Sequence, residues 1–180
     1  MATHKPVEVD SLFGELEISK SDEKWTVIHT KPKREKKLAS YLREKGIYYF
    51  LPLNNSERHY KYRKINFTKP LFPGYMFALL NEKKKREIVI SGHIANFLKT
   101  TSEKELLEDL KRIYIGFIKG AVFEHHPFVE VGKRVKIISG PFVGLTGMVT
   151  ESENKVVLQI RFLRKAVSIT VEPNQIEIIN

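Results

Sequence analysis

The sequence predicts a mixed α/β sandwich with flanking helices, followed by a small all-β barrel. Three observations carry this expectation. Between residues 24 and 119 short strand-like runs alternate with stretches of helical period, which is the pattern of an α/β layer. Beyond residue 133, β-branched runs are separated by tight glycine turns, as in a separate β domain. Charge divides along the same lines: basic and acidic side chains number 2 and 6 in residues 1–23, 22 and 9 in residues 24–120, and 7 and 6 in residues 121–180. The net charge of +10 therefore resides in the middle segment, the part that polyanions would seek.

Residues 1–23 are acidic, and their apolar members Val7, Val9, Leu12, Phe13, Leu16 and Ile18 keep no sustained period, so they read as a mobile tail. Lys24 to His29 alternate as a strand, with Trp25, Val27 and His29 on one face and Thr26 and Ile28 on the other. Pro32 suits a first helical position, Leu38, Tyr41 and Leu42 recur at helical spacing, and Gly46 suits a left-handed cap. Together they give a helix from Pro32 to Lys45. Ile47 to Leu53 is a short apolar strand that Pro52 and Asn54-Asn55 end. From Glu57 to Lys69 basic and aromatic residues interleave, and the apolar run Tyr75 to Leu80 follows Pro73-Gly74. This reads as a protruding hairpin whose base joins the sheet.

Lys83 to Ile90 reads as a short helix and Ile94 to Lys99 as a strand. Ser102-x-x-Glu105 resembles a capping box, opening a helix with Leu106, Leu107, Leu110, Ile113, Tyr114 and Phe117 on one face. Residues 121–129 lack a glycine or serine run and read as a short linker between a domain at 24–120 and another at 130–180. In the latter, Val135 and Ile137 alternate with charged neighbours, Gly140-Pro141 breaks that strand, and Gly144 and Gly147 turn the chain into Met148 and Val149. The runs Lys155 to Ile160 and Val167 to Val171 favour strands over helix.

Several function classes lose support. Without cysteine there is neither a disulfide framework nor a thiolate site, which suits a reducing cytoplasm. No run of about 18 apolar residues and no basic-then-apolar leader is present, so a soluble, unexported, cytoplasmic protein without membrane association is expected. The neighbouring His125 and His126 have diverging side chains and no third ligand, so no metal site is expected. No P-loop, nucleophile elbow or carboxylate pair stands out. Neither an enzyme nor a cofactor is expected.

Two strings are specific enough to suggest a family. Gly132-Lys-Arg-Val-Lys-Ile-Ile-Ser-Gly140-Pro141-Phe142-Val-Gly144-Leu-Thr-Gly147-Met-Val149 resembles the KOW motif. Pro70-Leu71-Phe72-Pro73-Gly74-Tyr75-Met76-Phe77, with Trp25-Thr-Val-Ile-His29-Thr30 upstream, resembles the NGN domain of the NusG family. The resemblance covers roughly residues 24 to 179. It implies an NGN sandwich, a linker and an SH3-like KOW barrel, acting as a monomeric transcription elongation or antitermination factor that binds RNA polymerase.

The resemblance also implies sites. Phe72, Tyr75, Tyr49, Trp25 and Phe77 would form an apolar cavity for the polymerase clamp helices, with Phe72, beside the Pro-Gly turn, as the best exposed contact. Strand alternation makes Trp25 and Phe77 more often core than contact. His29, Lys31, Arg34 and Lys37 would lie near the non-template DNA strand in the transcription bubble, and Lys33 joins them as a phosphate contact by its place in the basic cluster. Independently of family, five cations against the single Glu35 in this stretch favour phosphate contacts over a merely solvated helix face. Arg58, Lys61, Arg63 and Lys64 of the hairpin combine with Tyr60 and Tyr62 as a nucleic-acid surface or a sheet cover. Phe142, Phe162, Arg164 and Lys165 resemble the positions through which family members meet a small-subunit ribosomal protein or the terminator Rho, although Leu163 replaces the family's glycine. The basic hairpin, the Lys-Pro-Lys-Arg start of the first helix and the Pro-Leu-Phe-Pro-Gly-Tyr form resemble operon-specialised paralogues, including those of surface-polysaccharide operons, more than a housekeeping NusG. A ribosome-associated KOW RNA-binding protein is the alternative from another class, and the near-neutral carboxy-terminal segment disfavours it.

Overall fold

The computed structural model describes residues 7–60, 63–100, 102–120, 124–126, 132–139, 143–150, 155–160, 165–171 and 175–179. The chain divides into two compact units, Met1–Leu107 and Glu108–Asn180. No helix among the described residues is long and apolar enough to cross a membrane.

The amino-terminal unit holds β1 (Leu12–Phe13), β2 (Lys24–Thr30), α1 (Glu35–Glu44), β3 (Tyr49–Phe50), β4 (Leu53–Tyr60), β5 (Arg63–Pro70), β6 (Tyr75–Leu80), α2 (Glu82–Val89), β7 (Ile94–Leu98) and the start of α3 (Glu103–Ile118). Five of the strands form an antiparallel sheet in the order β1-β3-β6-β2-β7. Its centre follows from strand parity. Ile28 of β2 and Met76, Ala78 and Leu80 of β6 point to one face, where they bury Leu38, Ala39 and Leu42 of α1 and Ile88 of α2. Each Ile, Leu or Met side chain among them contributes about 1.5–3 kcal/mol on full burial. On the other face the cross-strand pairs are Trp25 with Leu79, Val27 with Phe77 and His29 with Tyr75.

Four expectations are corrected here. The acidic tail is not free over its described part: β1 pairs with β3, Leu51 N–H donates to the Ser11 carbonyl (2.7 Å), and Leu16 is buried. These anchors are isolated long-range contacts, which leave no period in the sequence. Gly14 is required among them, because its φ is 93° and a Cβ there would collide with the Tyr48 ring. The first helix begins at Glu35 rather than Pro32, since Arg34 N–H donates to the Lys31 carbonyl (3.2 Å) and closes a tight turn with Lys33 at φ 59°. Its end is as expected, with Gly46 at φ 65° and Ile47 N–H donating to the Leu42 carbonyl (2.9 Å). The hairpin β4–β5 is a separate two-stranded sheet. It is tied down at its base by Leu71 N–H donating to the Pro52 carbonyl (2.7 Å) and by the burial of Leu53.

The fourth correction concerns the carboxy-terminal unit. Its strands are β8 (Glu124–His126), β9 (Arg134–Ile137), β10 (Thr146–Thr150), β11 (Lys155–Ile160), β12 (Lys165–Thr170) and β13 (Ile176–Ile178). They form a six-stranded antiparallel sheet in the order β13-β9-β10-β11-β12-β8. Residues 124–126 of the expected linker are thus a paired edge strand, opposite residues 166–168 of β12. Val135, Ile137, Leu145 and Ile169 are buried. The β-branched runs form strands β11 and β12, as expected.

Candidate functional site

The loop Thr30–Arg34 and the turn Phe72–Tyr75 meet at one end of the amino-terminal sheet. Opposite placement of His29 on β2 and Tyr75 on β6 stacks their rings, with centroids 5.0 Å apart and planes 21° apart. This half-buried pair is the outer end of a row whose inner members, Trp25, Val27 and Phe77, are buried. Gly74 lies between the two segments: its carbonyl accepts from Thr30 N–H (2.9 Å) and its N–H donates to Glu35 Oε1 (2.7 Å). With φ at 83°, that turn position favours glycine.

Glu35 decides the electrostatics of the loop. As the only acid among the cations of residues 31–37, it would offset them if it faced outward; instead it is buried in the first turn of α1, and its carboxylate holds the Gly74 turn. Lys31, Lys33, Arg34 and Lys37 remain exposed around one turn. Lys31 N–H donates to the His93 carbonyl (2.8 Å), which brings His93 to the patch. Burial, and then Arg34, Lys37 and Lys31, push the His93 imidazole below its ordinary pKa. Lys33 adopts its left-handed φ without being glycine, a conformation costing roughly 1–2 kcal/mol. Such strain persists where the surroundings over-determine it. Lys36 faces elsewhere: it donates to Thr68 Oγ1 (2.7 Å), and burial lowers its pKa, with Glu8 opposing the shift. The arrangement is a cationic surface of the kind that attracts anions; among the described residues, no group of carboxylates, histidines or cysteines is placed to hold a metal.

The predicted aromatic cavity is largely core. Trp25, Tyr49, Phe72 and Phe77 are all buried, and only Tyr75 remains partly accessible. Trp25 Nε1 donates to the Glu17 carbonyl (2.9 Å), and the Tyr49 hydroxyl donates to the Asp10 carbonyl (3.2 Å). Phe72, expected to be exposed beside its Pro-Gly turn, is 0% exposed and packs edge-to-face on Phe77 at 6.4 Å. The reason is that Tyr75 N–H closes the turn on the Phe72 carbonyl (3.0 Å), leaving the ring to return to the sheet rather than to solvent.

Of the predicted nucleic-acid residues, His29, Lys31, Lys33, Arg34 and Lys37 are brought together, whereas Arg58, Arg63 and Lys64 belong to the hairpin. Lys64 shares the Glu57 carboxylate with His59. Lys61, Phe142, Phe162 and Arg164 lie outside the described residues, and Lys165 is the first residue of β12. Sequence reasoning missed His93 and the inward role of Glu35. Their partners are remote along the chain, and the one available signal was a solitary acid amid lysines.

Comparison with known proteins adds independent findings. A family model described as "Transcription termination factor nusG" matches residues 23–115, and one described as "KOW motif" matches residues 131–161. The "Transcription termination/antitermination protein NusG" of Lactococcus lactis subsp. lactis (strain IL1403) is 25% identical, and the match spans 87% of this chain and 93% of that relative.

Proposed function

The chain belongs to the NusG family of transcription termination factors, and on that premise we propose that it binds RNA polymerase through its amino-terminal unit and recruits a second partner through its KOW barrel. It acts by binding alone, with no bond made or broken. The Tyr75–His29 stack offers the aromatic contact for the clamp helices, and the turn of Lys31, Lys33, Arg34 and Lys37 lies against the non-template strand. By gripping polymerase and DNA together, the protein favours the elongating state, a population shift that requires tighter binding to that state.

The observation that carries this reading is the uncompensated cationic turn, left so by the inward Glu35 and set beside a partly accessible aromatic pair. Phosphate contacts of this kind position a protein without reading sequence. The barrel's partner is a small-subunit ribosomal protein or Rho. Within the family, the basic hairpin and the Lys-Pro-Lys-Arg turn favour an operon-specialised antiterminator over a housekeeping member. Run-on transcription through a terminator in a purified system tests the activity. Readthrough that rises with the protein supports antitermination, and earlier termination that requires Rho points to the housekeeping role.

A further inference from the structure

The acidic segment ahead of β2 is anchored by one set of groups and directs its carboxylates elsewhere. Over residues 7–23 the anchors are the β1–β3 pairing, the buried Leu16, and the Asp10 and Glu17 carbonyls, which accept from the Tyr49 hydroxyl and the Trp25 indole. Its acids meet the two helices. Asp10 pairs with Arg43 of α1, Glu23 pairs with Lys84 of α2, and Glu8 acts through its charge on Lys36 of α1, opposing the lowering of that pKa by burial. Asp22 accepts from Nδ2 of Asn81 (3.2 and 3.3 Å), the residue that caps α2. The Arg43 and Asp10 side chains are 54% and 62% exposed, and an ion pair so open adds little to stability. Its effect is on the local field.

On α1 the cations fall on two sides. Lys36 and Arg43 are seven residues apart, two helical turns, and share one stripe, whereas Lys37 belongs with the Lys31–Arg34 turn. That stripe borders a cleft of about 820 Å³ whose far wall is the hairpin face carrying Asn55, Asn66 and Thr68. Lys36 reaches across it to Thr68 Oγ1. The remaining wall is the amino-terminal segment itself, with Glu8 and Asp10. Arg43 is held twice by that segment, through Asp10 and through the Phe13 ring, 5.7 Å from its guanidinium. Glu57 on the hairpin wall is shared by Lys64 and His59. A polyanion entering the cleft toward Lys36 and Arg43 would therefore meet Glu8 and Asp10 at close range, where like charges repel.

We infer that the acidic amino-terminal segment is an intramolecular shield: Glu8 and Asp10 keep the Lys36–Arg43 face of α1 from the nucleic-acid backbone and so confine it to the Lys31–Lys37 turn. The inference rests on the proposed nucleic-acid role of the chain and adds the residues that set where contact is made. Residues 24–120 carry 22 basic side chains against 9 acidic ones, and phosphate contacts carry no sequence information of their own. An unshielded surface of that charge would hold DNA in several orientations. With one flank of α1 covered by the chain's own carboxylates, and the turn left open because Glu35 faces inward, a single orientation is favoured.

The test is fluorescence anisotropy of the full chain with a labelled duplex of arbitrary sequence over a salt series. Compared with wild type are the shield variant Glu8→Gln, Asp10→Asn; the single variant Glu8→Gln, whose side chain is exposed; the face variant Lys36→Gln, Arg43→Gln; the fourfold combination; a charge control Glu15→Gln, Glu105→Gln; and a turn variant with Lys31, Arg34 and Lys37 changed to Gln. Each uncovered cation adds about 0.9 to the log–log salt slope on duplex, so the shield variant should steepen it by about 2 and Glu8→Gln alone by about 1. The single variant keeps the test standing if the double one fails to fold. The face variant and the charge control should keep the wild-type slope, and the fourfold variant should lose the gain. A wild-type slope in both the shield and the single variant, with the turn variant flattened, overturns the shield and leaves the turn reading intact. A gain that survives in the fourfold variant, or that the charge control matches, overturns it in favour of overall charge. If no variant changes the slope, the nucleic-acid reading fails with it.

Discussion

Replacing Glu35 separates a structural carboxylate from a merely compensating one. In Glu35→Ala the Gly74 N–H loses its acceptor at 2.7 Å within a turn that also receives the Thr30 N–H. A partly buried donor left unpaired costs about 1–3 kcal/mol, and removing an acid from the first turn of a helix costs about 0.3–1 kcal/mol more. Loss of about 1–4 kcal/mol is therefore expected from these two contributions. Glu35→Gln keeps an acceptor oxygen but loses its charge, and roughly half the penalty should remain, since charge-assisted bonds are about twice as strong as neutral ones. Trp25, the only tryptophan, lies in β2 of the amino-terminal unit, so its fluorescence in a urea titration reports that unit alone. Were Glu35 simply a surface acid diluting the lysines, both variants would unfold with the wild-type midpoint and would bind single-stranded DNA more tightly. That pair of results would refute the inward assignment.

Changing Lys31, Arg34 and Lys37 together to Ala should lower affinity for single-stranded DNA and flatten its salt slope by about 2, at about 0.7 for each contact; an unchanged slope would return the turn to ordinary solvated surface. Phe72→Ala should destabilise the amino-terminal unit by about 3–5 kcal/mol in the same urea assay, as for a core aromatic, whereas a wild-type midpoint would restore Phe72 to the surface. His93 supplies a pH dependence. Its folded pKa lies below the ordinary histidine value through burial and the adjoining cations, so its contribution to stability is intact above about pH 6.5 and falls as pH drops through that value toward the folded pKa. A bound polyanion offsets Arg34, Lys37 and Lys31 and lifts the His93 pKa, so DNA affinity should rise as pH falls from 8 to 5.5. His93→Gln should show less of that rise in parallel titrations; an equal rise in both proteins would exclude His93 as its source.

What could be read from the sequence was set by local patterning. Alternation placed Trp25, Val27 and His29 on one face of β2, Gly46 ended α1, and the β-branched runs gave β11 and β12. Local rules failed where a distant partner decided the outcome. Pro32 satisfied the preference for a first helical position, but the Lys31–Arg34 turn and Lys33 in the left-handed region delayed the helix to Glu35. The stretch from Val7 to Glu23 lacked a period because it is fastened at separate points, Asp10 to Arg43, Leu12 to Phe50 and Glu17 to Trp25. The cationic turn was visible in composition. That its lone acid faces inward depends on a hydrogen bond spanning 39 residues, which no spacing along the chain discloses. Exposure of Phe72 was inferred from its turn, and its packing against Phe77 prevailed.

A photo-crosslinking amino acid at position 37, carried by the full chain in a reconstituted transcription elongation complex, tests the central claim most directly. Lys37 is exposed and belongs to the cationic turn beside the His29–Tyr75 stack. The expected result is stable association with the complex and a crosslink to the non-template strand, lost when Lys31 and Arg34 are changed to Ala. Failure to associate with the polymerase complex, or association with crosslinks to protein alone, would contradict it.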